Sequence, residues 1–216
     1  MNQLKKMVRE FCQIDAPSGR EDALRQKLIS VIGSNADCRV DKLGNLICEK
    51  RGQNRAIRKI MLDAHMDEVG IIVTSISENG RLKFAAVGGI EASALLGRRV
   101  RISGVPGVIE CIPVHLLEKD AANKIPDIAQ MYIDIGSFSK EETLSLISPG
   151  DMGVFDSDFV EFGDGMIKGK ALDDRIGCAI LADMILKEQP YDLTFTFTVQ
   201  ELSLIHISEP TRHAQI

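Results

Sequence analysis

"YDLTFTFTVQE" (residues 191–201) decides how the chain is read. Phe195, Phe197 and Val199 alternate with Thr194, Thr196 and Thr198, the two-residue period of a strand with one buried face. The alternation stops at Gln200 and Glu201, so a Gln-Glu pair is delivered to the carboxyl end of the strand. In open α/β sheets, sites gather outside the carboxyl ends of strands, and a Glu there can act as a general base toward water. Taken singly, a strand-end Glu is usually just solvated. Its meaning depends on what the rest of the chain brings to it.

Directly upstream, "DDRIGCAILADMILKEQ" (173–189) reads as a helix, which makes the last part of the chain helix then strand. The first 68 residues have the same α/β character. Leu4, Met7, Val8, Phe11 and Cys12 recur at helical spacing, and Leu24, Leu28, Val31 and Ile32 form a second apolar stripe after the turn residues "APSGRED" (16–22). "CRVDKLGNLICEKRG" (38–52) reads as a hairpin around Gly44 and Asn45. "IRKIMLDAHMD" (57–67) is a third strand, apolar enough at Ile60 and Leu62 to be central. Between these parts lies a different texture. From Val69, short β-rich runs are separated by Gly and Pro, with a two-residue turn at Asn79-Gly80 and a short helix starting near Ser139. The order predicts an α/β domain over 1–68 and 165–201, interrupted by a β-barrel or sandwich over 69–164.

Composition excludes several function classes. The 216 residues are 44% hydrophobic and carry a formal net charge of -5, with no Trp and only two Tyr. With no basic stripe or Lys/Arg run apparent and few rings for bases to stack on, a nucleic-acid partner is not expected. No apolar run reaches the ~20 residues that span a bilayer. "MNQLKKMVREFCQID" (1–15) interleaves its charges and is no secretory signal. The five cysteines show no CxxC spacing and are expected as free buried thiols in a cytoplasmic protein.

Three segments carry residues suited to chemistry. In "MLDAHMDEVG" (61–70), His65 and Asp67 are two apart and would share one face of a strand, where they can share a metal site, the carboxylate can orient a neighbouring ligand, or they are simply a polar pair at a strand end. In "KGKALDDRIGCA" (168–179), Asp173 and Asp174 open a helix. There they either cap free N–H groups with Arg175 as partner, or repel one another until a metal relieves them. Glu201 is the third element. Together a His, paired carboxylates and a further Glu at element ends match the needs of a dinuclear hydrolytic site, with oxygen and imidazole donors that suit zinc, cobalt or manganese.

These three motifs, in this order and with a β-domain between the first two, resemble the cytoplasmic metallo-aminopeptidases called glutamyl aminopeptidase, deblocking aminopeptidase or endoglucanase M. The resemblance covers residues 1–201 and includes "YIDIG" (132–136) and "PGD" (149–151) of the insert. It implies a zinc-exopeptidase-like mixed-sheet α/β catalytic domain, incomplete here, with an inserted PDZ-like β-barrel used for dimerisation. It also implies dimers assembling into a dodecamer, peptide substrates and two divalent metal ions per subunit, Zn or Co with Mn as a further option. His65 matches a terminal metal ligand, Asp67 the carboxylate orienting it, and Asp173 the bridging ligand, with a cis Asp173–Asp174 peptide. Glu201 matches the general base acting on the metal-bridging water. The implied reaction is release of N-terminal residues from short peptides. The alternatives are a glycosidase of the endoglucanase-type label and a non-catalytic peptide-binding fragment.

The resemblance stops at residue 202. The family continues with a second Glu, where this chain has Leu202. "LSLIHISEPTR" (202–212) looks like a translated sequencing adapter, so residues 202–216 are expected to be a non-native tail. His206 and His213 match no family ligand. Retaining only His65 and Asp173 of five implied metal ligands, the chain is expected to be truncated and inactive as it stands.

Overall fold

The computed structural model describes residues 3–55, 57–111 and 126–203. The chain divides into two compact units, Met1–Glu68 with Ala171–Ile216, and Val69–Lys170. The return from the second unit thus falls after Lys170 rather than at 164, because the strand Met166–Lys168 pairs with Val160–Phe162 and stays with the insert. Most of the expected tail, residues 204–216, lies outside the described residues.

The first unit opens with α1 (Gln3–Cys12), which buries Met7, Val8, Phe11 and Cys12, and α2 (Asp22–Ile32), which buries Leu24, Leu28 and Ile32. Gly33 ends α2 at φ 53, its N–H donating to Ile29 O, a backbone that favours glycine. The hairpin follows as β1 (Asp37–Val40) and β2 (Leu46–Lys50). Its turn is organised by Asp41, whose carboxylate accepts the amides of Leu43, Gly44 and Asn45 and the Asn45 side chain. These donors, the Asn45 side chain first, hold the Asp41 carboxyl below its ordinary value. Then comes β3 (Met61–His65).

The second unit is a closed six-stranded barrel with a hairpin attached. Its strands are β4 (Gly70–Ile76), β5 (Leu82–Val87), β6 (Arg99–Ile102), β7 (Val105–Glu110), β8 (Tyr132–Asp134) and β9 (Met152–Phe155), closing in the order β4-β5-β8-β7-β6-β9. Ile71, Val73, Leu82, Val100, Ile102 and Ile133 fill its interior. Gly153 admits this packing, since a Cβ there would stand 2.7 Å from an Ile102 side-chain carbon. The short helix α3 (Lys140–Leu144) is capped by Ser139, whose Oγ accepts the Glu142 amide. The strands β10 (Val160–Phe162) and β11 (Met166–Lys168) form the final hairpin.

The chain returns to the first unit with α4 (Leu172–Ile185) and β12 (Leu193–Thr198). The sheet order is β1-β2-β12-β3, with β12 antiparallel to β2 and parallel to β3. Phe195 and Phe197 are fully buried, so β12 holds the middle of the layer. β3, expected to be central, lies at the edge of this four-stranded sheet, and Met61 is 64% exposed. The last strand in sequence inserts between β2 and β3, and among the described residues no strand lies beyond β3.

Two compositional expectations need correction. Cys38 and Cys48 form a disulfide, and Cys12, Cys111 and Cys178 stay outside it as thiols. The pair faces across the β1–β2 register, a juxtaposition that sequence spacing does not reveal. A local basic run also exists. Lys50, Arg51, Arg55, Arg58 and Lys59 line a surface cavity of about 520 Å³ with Asp37, Glu49 and Asp192, the last paired to Arg55. No helix among the described residues is long and apolar enough to cross a membrane.

Candidate active site

Parallel pairing of β3 with β12 puts His65 opposite Thr198, so both strands leave the sheet at the same end. Met66 N–H donates to Thr198 O at 2.7 Å, which continues the ladder one step beyond the strands. This register brings Asp67 and Glu201, far apart in sequence, to one edge.

His65 is the centre of the arrangement. Its Nδ1 lies 3.3 Å from Asp67 Oδ1 and its Nε2 lies 3.1 Å from Asp173 Oδ1. Glu201 Oε2 is 4.0 Å from the same Nε2. Burial alone would lower the His65 pKa. The hydrogen bond and charge of Asp67, and then those of Asp173, outweigh it and raise the value to about 9. The four residues singled out in the sequence therefore meet.

Asp67 reaches this position differently from expectation. β3 ends at His65, so Asp67 is not two places along a strand but past its end. Its side chain is fully buried and accepts from Ser18 Oγ, from Glu201 N–H at 3.1 Å and from Leu202 N–H at 2.9 Å. Burial pushes its pKa up, but the bonds from His65, Ser18 and the Leu202 amide prevail and hold it below the ordinary value.

The Asp pair divides its labour. Asp174 Oδ1 accepts Gly177 N–H at 3.0 Å and closes the first turn of α4. The Asp173 side chain is 86% exposed and turned to His65, and the peptide joining the two is cis. Arg175 is not their partner. It is fully buried, with its Nη1 donating to Phe11 O and Ile14 O and its Nη2 to Glu68 Oε1. Glu68 Oε1 also accepts Ala16 N–H.

Sequence reasoning missed a set of supporting residues. Ser18 and Glu21, read only as turn residues, bond Asp67 and the Gln200 amide, and Asn45 Oδ1 accepts Val199 N–H. Ser18 lies 49 residues from its partner and Glu21 lies 179 from its own, beyond any local pattern. For Arg175 a signal existed, a lone cation between Leu172 and the apolar run of α4.

The donor set fits a divalent cation in part. His65 Nε2 and Asp173 Oδ1, an imidazole nitrogen and a carboxylate oxygen, stand 3.1 Å apart, and the other ring nitrogen is fixed by Asp67, as in metal-ligating histidines. Among the described residues no group of three or more His, Cys, Asp or Glu is placed to complete a shell.

The model of the M42 glutamyl aminopeptidase family matches residues 44–202. A protein of Acetivibrio thermocellus bearing an aminopeptidase name is 41% identical over 199 residues, which are 90% of this chain and 58% of that protein. The structure is similar to a TET aminopeptidase from a marine-sediment Thaumarchaeota archaeon, with TM-score 0.88 and 33% identity over 99% of this chain and 63% of that one. It is also similar to the TET1 peptidase of Pyrococcus horikoshii, which can assemble into a tetrahedron or a large octahedral shell, with TM-score 0.79 and 37% identity over 92% and 61% of the two chains. The chain thus spans about six-tenths of the length of these relatives. With a match over residues 44–202 that includes His65, Asp67, Asp173 and Glu201, the chain belongs to the M42 glutamyl aminopeptidase family.

Proposed function

We propose that the whole protein is a metal-dependent aminopeptidase that removes N-terminal residues from short peptides. The observation that carries this reading is the placing of His65 between Asp67 and Asp173 with Glu201 beside it at the mouth of two parallel strands. His65 and Asp173 would hold a divalent metal, zinc or cobalt with manganese as a further option. Two ions per subunit follow if further donors join them. When bound, the metal supplies Lewis-acid polarisation of the scissile carbonyl.

The chain's own residues do the remaining work. Asp67 fixes the His65 ring so that Nε2 faces outward, and it holds the Glu201 and Leu202 amides, which sets where the Glu201 carboxylate stands. Glu201 is the general base. It takes a proton from the attacking water and returns it to the departing amine. The glycosidase alternative loses its support, because two acids flanking a sugar bond would give no role to a His held on both ring nitrogens.

The relatives with known assemblies favour homo-oligomers, and the barrel unit is the candidate for joining copies. A cytoplasmic location goes with this reading. The test uses purified whole protein and peptides of defined sequence. Free N-termini should be consumed and acetylated ones spared, chelator should abolish release, and zinc or cobalt should restore it. Chelator-insensitive release, or digestion from the carboxyl end, would remove the proposal.

A further inference from the structure

We propose that Glu21 is a positioning residue for Glu201, acting through the backbone of Gln200. This rests on the reading of Glu201 as the general base. Glu21 is 4% exposed, and its Oε1 accepts Gly19 N–H at 2.8 Å and Gln200 N–H at 3.0 Å. Neither of these bonds goes to His65 or Asp173, so its effect on the site passes through residue 200.

Gln200 is where direction is set. Its φ is 60, in the left-handed region that a residue with a side chain rarely adopts, and it directly precedes Glu201. Without that turn β12 would run on and carry Glu201 away from His65. Four consecutive amides around it are held by side chains: Val199 by Asn45, Gln200 by Glu21, and Glu201 and Leu202 by Asp67. Asn45 and Asp67 restrain the two sides of the turn, and Glu21 restrains the left-handed residue itself. Glu21 is in turn fixed at the start of α2, where Arg25 N–H donates to its carbonyl. Strained backbone at functional sites persists only where its surroundings determine it, and these bonds are that surround.

The role is that of an acceptor, so it is separable from charge and from general packing. In Glu21→Ala the Gln200 amide loses its partner. Its hydrogen exchange, read by NMR on the chain of residues 1–216, should accelerate at least about 10-fold, while the core amides of α2 at Leu28 and Ile32 keep their rates. In the whole protein the same substitution should lower kcat about 10- to 100-fold with KM within about two-fold, because misplacing a catalytic group by an ångström has effects of that size. Glu21→Gln retains an acceptor oxygen and should stay within about three-fold of wild type in both readouts. Gln200→Gly placed in the Glu21→Ala background should recover about five-fold or more of the lost kcat, since glycine holds the turn without help.

Unchanged Gln200 exchange in Glu21→Ala would overturn the proposal. So would a freed Gln200 amide with full kcat, or lost activity accompanied by faster exchange throughout α2 that Gln200→Gly does not repair. If wild-type whole protein releases no N-terminal residues, the aminopeptidase reading itself fails. The exchange data would then still report whether Glu21 holds Gln200.

Discussion

Asp67 shows how one buried carboxylate can join the residue proposed as a metal ligand to the one proposed as the base. Its two oxygens serve His65, Ser18 and the amides of Glu201 and Leu202. Asp67→Ala leaves these donors without a partner and should lower stability by about 1–3 kcal/mol, read as a fall in Tm. The pH dependence follows from the directions of the shifts. The Asp67 pKa is depressed by folding, so its contribution is present above the ordinary carboxylate range and is lost as pH falls through the lower folded value. The His65 value is raised from 6.5 to about 9, so its contribution is complete below 6.5 and disappears as pH rises through about 9. Metal-free protein should therefore lose Tm on the alkaline side between those values, and Asp67→Asn should flatten that slope. A slope unchanged in Asp67→Asn would show that Asp67 does not hold the imidazolium. His65, Asp67, Asp173 and Glu201 were legible in sequence because each lies at the end of an apolar element. Ser18 and Glu21 were not, because a turn Ser and a turn Glu look the same whether or not a distant amide needs them.

At the scale of elements, the site stands on two joints. One is the parallel β3–β12 ladder, which β12 anchors with two buried rings. Phe197→Ala, opposite Ala64 in that ladder, should cost about 3–5 kcal/mol and show as loss of the cooperative unfolding transition at moderate urea. The other joint is Arg175, which ties the end of α1, the loop after it and Glu68 to the start of α4. Arg175→Met removes one member of the buried Arg175–Glu68 ion pair together with the donors to Phe11 O and Ile14 O, and should lower stability, read as a fall in Tm. Adding Glu68→Gln should return a measurable part of it. A double variant no more stable than Arg175→Met would mean that the bonds to Phe11 and Ile14, not the ion pair, matter most. Helices and hairpins were readable from the 3.6- and 2-residue periods and from turn residues at Gly44-Asn45 and Asn79-Gly80. The edge position of β3 was not, because pairing across 134 residues leaves no local mark, and the Cys38–Cys48 disulfide was not, because it depends on the register of the β1–β2 hairpin.

At the scale of the whole molecule, the interrupted α/β domain was legible because the change of texture at Val69 is abrupt. The return was harder to place, since β10 and β11 resemble barrel strands but directly precede α4 in sequence. The donors at the site set what this chain can do alone. Catalytic zinc sites use three protein ligands and structural ones four, and among the described residues no group of three or more His, Cys, Asp or Glu accompanies the His65–Asp173 pair. The 216-residue chain should therefore bind zinc weakly, with a Tm shift on saturating metal of no more than a few degrees that His65→Ala removes. It should also release no N-terminal residues at any metal concentration. The whole protein should show both a large metal-dependent rise in Tm, because ligand binding to the folded state stabilises it by mass action, and chelator-sensitive activity. Comparing the two under one buffer separates the contribution of the strand-end residues from that of the rest of the whole protein. Chelator-sensitive release by the 216-residue chain would mean that the two-donor site, with Glu201 beside it, is already sufficient, and the assignment of an incomplete shell would have to be abandoned.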